Sequence, residues 1–198
     1  KAQAIFQDPF SSLDPFMSIF SIVEEPLKVH HHGDSSERRE RVLRALREVR
    51  LSPEEDFASK YPHMLSGGQR QRVNIARALM LRPEYVVADE PVSMIDVSTR
   101  MEILQLLKEL QRSHGLTILY ITNDIATARH FADRVAVMYL GRIVEIGPSE
   151  EVVKEPLHPY TIALIEAVPE PDPSNRLRER SSLPGEQPSP TSIPAACR

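Results

Sequence analysis

Two short apolar runs, each ended by polar side chains and separated by a segment of helical period, constrain the fold more than any other feature of this sequence. Tyr85-Val86-Val87-Ala88 stops at Asp89-Glu90-Pro91, and the run 116–122 stops at Asn123-Asp124. Such runs read as strands buried on both faces, with polar groups delivered to the carboxyl edge where an α/β sheet places its ligands. Between them, from about Val97, Met101, Leu104 and Leu107 fall on one helical face, and Gly115 is placed to cap the helix C-terminus. Strand and helix in alternation imply a mostly parallel sheet flanked by helices.

The remaining segments extend this pattern. Ala4-Ile5-Phe6 reads as the end of a buried strand that breaks into the turn-rich stretch 7–15. Helical stretches follow, the clearest over 35–50, where Val42, Leu43, Leu46 and Val49 recur at helical spacing and Arg and Glu share the solvated face. After Pro62, a helix carrying Val73, Ala76, Leu79 and Met80 ends before Pro83. The segment 124–132 is helical again, and 135–140 with 143–146 read as a hairpin joined through Gly141-Arg142. From Pro169 onward, Pro, Ser, Glu and Arg dominate without apolar periodicity, as in a loop or tail.

Composition excludes several classes. With 24 basic and 28 acidic side chains and a formal charge of -4, no global positive field is present to hold nucleic acid. No apolar run approaches the roughly 20 residues needed to span a bilayer, so membrane association is expected to be peripheral. A single cysteine, Cys197, excludes an internal disulfide. The chain starts at Lys1 and closes on Cys197-Arg198, and it reads as a piece of something longer.

The chemistry concentrates in four places. Ser66 with Gln69 three residues on is a capping-box pattern, which a plain helix start explains. It does not explain Gly67 and Gly68, each costing about 1 kcal/mol against alanine in a helix. Bare glycines at a helix N-terminus let an anion approach unpaired N–H groups and the positive end of the dipole. Asp89 and Glu90 stand at a strand's carboxyl end, either as paired acids for metal and water or as caps for the following helix. Asp96 fits a helix N-cap, and Gln7 follows the first strand. His30-His31-His32 lack a carboxylate or cysteine at ligand spacing and read as a solvated helix end.

Leu65-Ser66-Gly67-Gly68-Gln69-Arg70-Gln71-Arg72 resembles the signature motif of ABC ATPases, and the other motifs follow in the order that this family has them. The resemblance implies a P-loop NTPase, RecA-like core with an inserted α-helical subdomain, here about 14–80 within a partial nucleotide-binding domain 1–168. It implies ATP and Mg²⁺ as ligands. Asp89 would serve the metal, Glu90 would act as general base, and Gln7 would sense Mg²⁺ and the γ-phosphate. Ser66, Gly67, Gly68 and Gln69 would cap the nucleotide of a second cassette, and Ser93-Met94-Ile95-Asp96 resembles the D-loop of the cassette interface. Two departures stand out. No Gly-x-x-x-x-Gly-Lys-Ser/Thr loop occurs, and Asn123 occupies the place of the family's switch histidine.

Phe6-Gln7-Asp8-Pro9, Ser12-Leu13-Asp14-Pro15, the run 135–141 and His158-Pro159-Tyr160-Thr161 look like the oligopeptide/dipeptide importer branch, and 169–198 is similar to its C-terminal extension. In some members that extension continues into cysteines that hold an iron-sulfur cluster, a site that one thiol cannot close. The partners implied are a second ABC ATPase subunit, integral membrane permease subunits and, indirectly, an extracytoplasmic solute-binding protein, with no nucleic acid. The place implied is the cytoplasmic face of the cell membrane. Without its phosphate loop the chain alone is expected to be inactive. A catalytically weak nucleotide-binding and dimerisation module is the alternative that Asn123 raises. A soluble ABC protein of DNA repair or translation would be expected to bring coiled-coil insertions or zinc modules, and none is visible.

Overall fold

The computed structural model describes residues 1–168, and packing divides the chain into two compact units that meet at Ile121 and Thr122. The expected tail 169–198 lies outside the described residues.

The first unit is built on a three-stranded parallel sheet in the order β1 (Ala2–Ile5), β2 (Tyr85–Asp89), β3 (Thr117–Ile121). Parallel register pairs Ala4 with Val87 and Val87 with Leu119, and it sets Asp89 beside Ile121 at the carboxyl edge. A parallel pair needs a crossover. The one from β1 to β2 is a helical layer of α1 (Ile19–Val29), α2 (Ser35–Glu48), α3 (Glu54–Ser59) and α4 (Gly67–Leu79), with a one-turn 3-10 helix at Pro62–Met64 before α4. The crossover from β2 to β3 is the single helix α5 (Val97–His114), closed by Gly115 in the left-handed conformation at φ 64.

α2 and α4 start where the sequence predicts. Asp34 caps α2 through the Glu37 N–H, while the Glu37 side chain accepts from the Asp34 N–H. The apolar stripes meet inside: Ile19, Val23, Leu27, Val42, Leu46 and Val73 are fully enclosed. One charge is enclosed with them. Glu24, 4% exposed at its side chain, accepts from Lys28 at 2.7 Å and from Arg38 Nε at 2.9 Å, and Arg38 also donates to the Gly33 carbonyl. Burial pushes the Glu24 carboxyl up, but the hydrogen bonds and charges of Lys28 and Arg38 outweigh it and hold the carboxyl below its ordinary value.

Two expectations are corrected. The strands are not dry on both faces: Ile5, Val86 and Ala88 are enclosed and Ile118 and Tyr120 are half-buried, whereas Phe6, just past the end of β1, is 62% exposed and Tyr85, Leu119 and Ile121 are 37%, 46% and 44% exposed. Strands of an α/β sheet are dry on both sides only where helices cover both, and among the described residues the face bearing Leu119 and Ile121 is left open. In α5 the buried stripe is Ile103, Leu106, Leu107 and Leu110, with Leu104 beside it, while Met101 is exposed. The stripe begins one turn later than the periodicity suggests.

The second unit begins with α6 (Ile125–Phe131), followed by the antiparallel hairpin β4 (Arg134–Tyr139) and β5 (Arg142–Pro148), then α7 (Ser149–Lys154) and α8 (Pro159–Glu166). The hairpin turns on Leu140 and Gly141, at φ 48 and 77, so the connection lies one residue earlier than expected. The Glu145 carboxylate accepts from the Leu157 and His158 N–H groups, His158 Nδ1 accepts from the Tyr160 N–H, and the Tyr160 ring stacks on Tyr139 at 4.2 Å. The His158-Pro159-Tyr160 segment is thereby tied to the hairpin.

Removing the enclosed carboxylate leaves two cations facing a space shaped for an anion. Glu24→Ala is expected to cost about 2–3 kcal/mol in denaturant unfolding at pH 7. Because the folded carboxyl lies below its unfolded value, the wild-type advantage is complete above the unfolded value and shrinks as pH falls through the folded one. Unfolding curves for both proteins between pH 7 and pH 3 check this.

Candidate functional site

Ser66 takes extended backbone at φ -66 and ψ 164, ahead of α4, and its hydroxyl accepts from the Gln69 N–H at 3.3 Å. Gln69 Oε1 returns the favour to the Ser66 N–H at 3.0 Å. This reciprocal cap satisfies two of the orphan donors of the helix start. The N–H groups of Gly67 and Gly68 have no acceptor among the described residues. Two bare donors at the positive end of a 13-residue helix are suited to an anion.

The carboxyl edge of the sheet gathers a second set. Asp89 ends β2 with its side chain exposed. Glu90 turns sharply out of the strand at φ 41, a left-handed conformation that non-glycine residues rarely adopt. Three hydrogen bonds hold it there: its N–H donates to the Ile121 carbonyl at 2.9 Å, and its carbonyl accepts from the Ser93 N–H and hydroxyl. The Glu90 carboxylate accepts from Gln7 Nε2 at 3.0 Å. Gln7 and Glu90, 83 positions apart, therefore meet because β1 and β2 are parallel neighbours that end at the same edge.

Asp96 caps α5 and accepts from the Ser98 hydroxyl at 2.7 Å and the Thr99 N–H at 3.0 Å. These bonds, that of Ser98 first, hold its carboxyl down at about 2. Asn123 belongs to the second unit, exposed just before Asp124, which caps α6 by accepting from the Ala126 and Thr127 N–H groups.

Two arginines make contacts that the sequence reading did not assign. Arg70 lies 4.2 Å above the Phe10 ring and donates to the Pro62 carbonyl, and Arg77 donates to the Ser12 carbonyl and to Glu25 at 2.6 Å. Both tie the loop after Gln7 to α4. Their spacing of seven on one helix is a face signal, but what that face would meet is a long-range matter.

Among the described residues no group of three His, Cys, Asp or Glu side chains could hold a metal. A hard divalent cation could still take Asp89 and the Gln7 amide oxygen if phosphates completed its shell, as Mg²⁺ usually requires.

Comparison with known proteins agrees with these motifs. Residues 1–93 match the model of the ABC transporter family, and residues 144–198 match that of the oligopeptide/dipeptide transporter C-terminal region. The dipeptide transport ATP-binding protein DppF of Haemophilus influenzae is 50% identical over 197 residues, covering 100% of this chain and 59% of the relative. The oligopeptide transport ATP-binding protein AppF of Bacillus subtilis is 47% identical over 196 residues, covering 98% and 59%. The chain thus spans about three fifths of the length of the curated relatives it matches. Among solved structures, the ATP-binding cassette MJ0796, dimeric in a post-hydrolysis state with ADP and Pi, superposes with a TM-score of 0.64 at 37% identity, over 75% of this chain and 63% of that one. The cbiO1 protein of Clostridium perfringens, part of the ABC transporter complex cbiONQ, gives 0.70 at 34% identity, over 78% and 59%.

The Asp96 cap has a pH signature. Asp96→Ala is expected to lower the melting temperature at neutral pH. A carboxyl depressed to about 2 stabilises above its unfolded value and loses that contribution as pH falls toward about 2. Melting curves of the two proteins should converge on acidification.

Proposed function

Because this chain belongs to the ABC transporter family, with the C-terminal region of its oligopeptide/dipeptide transporters, we propose that it is the ATP-hydrolysing part of an importer of oligopeptides or dipeptides. The observation that carries this reading is the meeting of Gln7 with Glu90, beside Asp89, at the carboxyl edge of a parallel sheet.

In this reading Glu90 accepts a proton from the attacking water, and its left-handed backbone aims the carboxylate out of the strand. Gln7 positions that carboxylate through its Nε2, and its side-chain oxygen would be left to face the metal and the γ-phosphate. Asp89 with the Gln7 oxygen would hold Mg²⁺, which supplies charge neutralisation on the phosphates. Ser66, Gly67, Gly68 and Gln69 offer their helix start to the nucleotide of a second cassette, whose closure brings the two half-sites together. Asp96 holds the turn 93–96 that would line the cassette interface. Arg70 and Arg77 would carry that closure to the Gln7 loop, and from there to membrane permease subunits at the cytoplasmic face. The solute-binding protein would act at one remove. No helix among the described residues is long and apolar enough to cross a membrane. Residues 14–80 would form the helical subdomain, with the RecA-like core in the rest of 1–168.

These 198 residues contain no Gly-x-x-x-x-Gly-Lys-Ser/Thr loop. Alone, they are expected to show no ATP turnover above background. In a cassette completed with such a loop and assembled with its membrane partners, Glu90→Gln should lower ATPase activity by about 100-fold or more while nucleotide binding persists. Unchanged turnover would remove Glu90 from the chemistry.

Asn123 supports a second reading, a cassette that binds and dimerises but turns over slowly, since an amide cannot carry the charge of an imidazolium. Asn123→His in the completed cassette should then raise the rate. An unchanged rate leaves the hydrolytic reading alone.

A further inference from the structure

The two glycines at the start of α4 are not equivalent. A Cβ built on Gly67 would meet only the Met94 carbonyl oxygen, at an ordinary 3.9 Å. One built on Gly68 would lie 2.3 Å from Thr99 Cγ2, an impossible contact, yet 3.6 Å and 3.9 Å from Thr99 Cβ and Oγ1. Gly68 does not have positive φ, so space and not conformation demands the glycine. Its missing side chain is therefore explained inside the chain, by the first turn of α5, whatever its N–H may bind.

We propose that Thr99 is a positioning residue whose methyl group, seated against Gly68, locks the start of α4 to the turn 93–96, so that both are presented to a second subunit as one rigid surface. The functional consequence deepens the reading above and rests on it, while the packing does not. Thr99 is itself fixed: its N–H donates to Asp96 Oδ2 at 3.0 Å, and a β-branched side chain in a helix has few χ1 options. One turn further along, Arg72 Nη2 pairs with Glu102 at 2.9 Å while Nη1 donates to the Val49 carbonyl at 3.1 Å. Two contacts a turn apart set both the distance and the register of α4 on α5. An alanine at 68 must push the first turn of α5 away or rotate Thr99 off its seat, and in either case the turn 93–96 shifts.

The test uses this chain with Gly68→Ala, Thr99→Ser, the two combined, and Gly67→Ala as reference. Serine at 99 removes only the clashing methyl and keeps Oγ1. Gly68→Ala should lower the melting temperature by roughly 2–8 °C and speed amide hydrogen exchange across 93–99 by about tenfold. Gly67→Ala should stay within a few degrees of wild type. Thr99→Ser, which empties the seat, should speed exchange across 93–99 with little change in melting, and the double variant, whose alanine methyl at position 68 refills the seat, should recover most of both losses. If Gly68→Ala alone does not fold, the double variant must. A Gly68→Ala protein with unchanged melting and exchange, or a defect that Thr99→Ser does not repair, overturns the lock. In the completed cassette, ATPase lost in Gly68→Ala and regained in the double variant supports the functional consequence. Stability regained without ATPase overturns that consequence. Failure of the hydrolytic reading would show separately, as a wild-type completed cassette without turnover.

Discussion

Helix α4 is enclosed along almost its whole length, and the rest of the first unit is arranged around that fact. Val73, Ile75, Ala76 and Ala78 are buried against the helical layer, the sheet and α5, each large side chain contributing on the order of 1.5–3 kcal/mol by leaving water. The polar groups that go in with them are matched to their surroundings. Arg72, 8% exposed, is shared between a carbonyl and a carboxylate, and Asn74 donates to Gln71. One donor, Gln71 Nε2, lacks a partner among the described residues, at a cost of about 1–3 kcal/mol that the apolar burial offsets. A helix held on so many sides moves as a body or not at all, and its exposed N-terminus is consequently a fixed feature of the surface.

That fixity joins places that are far apart in sequence. The start of α4 seats against α5, whose cap Asp96 closes the turn leading back to Glu90, and Glu90 is touched by Gln7. Arg70 and Arg77, further along α4, hold the loop that follows Gln7. The start of α4, the acidic edge and the glutamine loop are thus mechanically continuous through α4 and α5. Communication between such groups is a requirement for any device that turns nucleotide chemistry into movement, and here it is made of short, specific contacts.

What could be read in advance was local. Ser66 with Gln69, Gly115 after α5 and the acids at the end of β2 each announce themselves within a few residues, because caps and strand ends are short-range chemistry. The covering of the sheet was not legible: Tyr85 to Ala88 and the run through Leu119 and Ile121 look fully buried, yet one face stays open, since an apolar pattern says what could be covered and not what covers it. Met101 misled for the same reason. The glycine pair suggested anion approach for both members, but the structure assigns the missing Cβ of Gly68 to Thr99, a contact that no spacing rule connects. Gln7 and Glu90 were each picked out by motif order, while their hydrogen bond depended on the pairing of β1 with β2.

The central claim is that the α4 helix start caps a phosphate held by another subunit. It is tested most directly by a structure of the completed cassette, assembled with its partners and trapped with ATP and Mg²⁺ by Glu90→Gln. The account predicts the γ-phosphate of the neighbouring subunit within hydrogen-bond distance of the Ser66 hydroxyl and a glycine N–H. A nucleotide fully enclosed by one subunit, with the N-terminus of α4 facing only solvent, would contradict it.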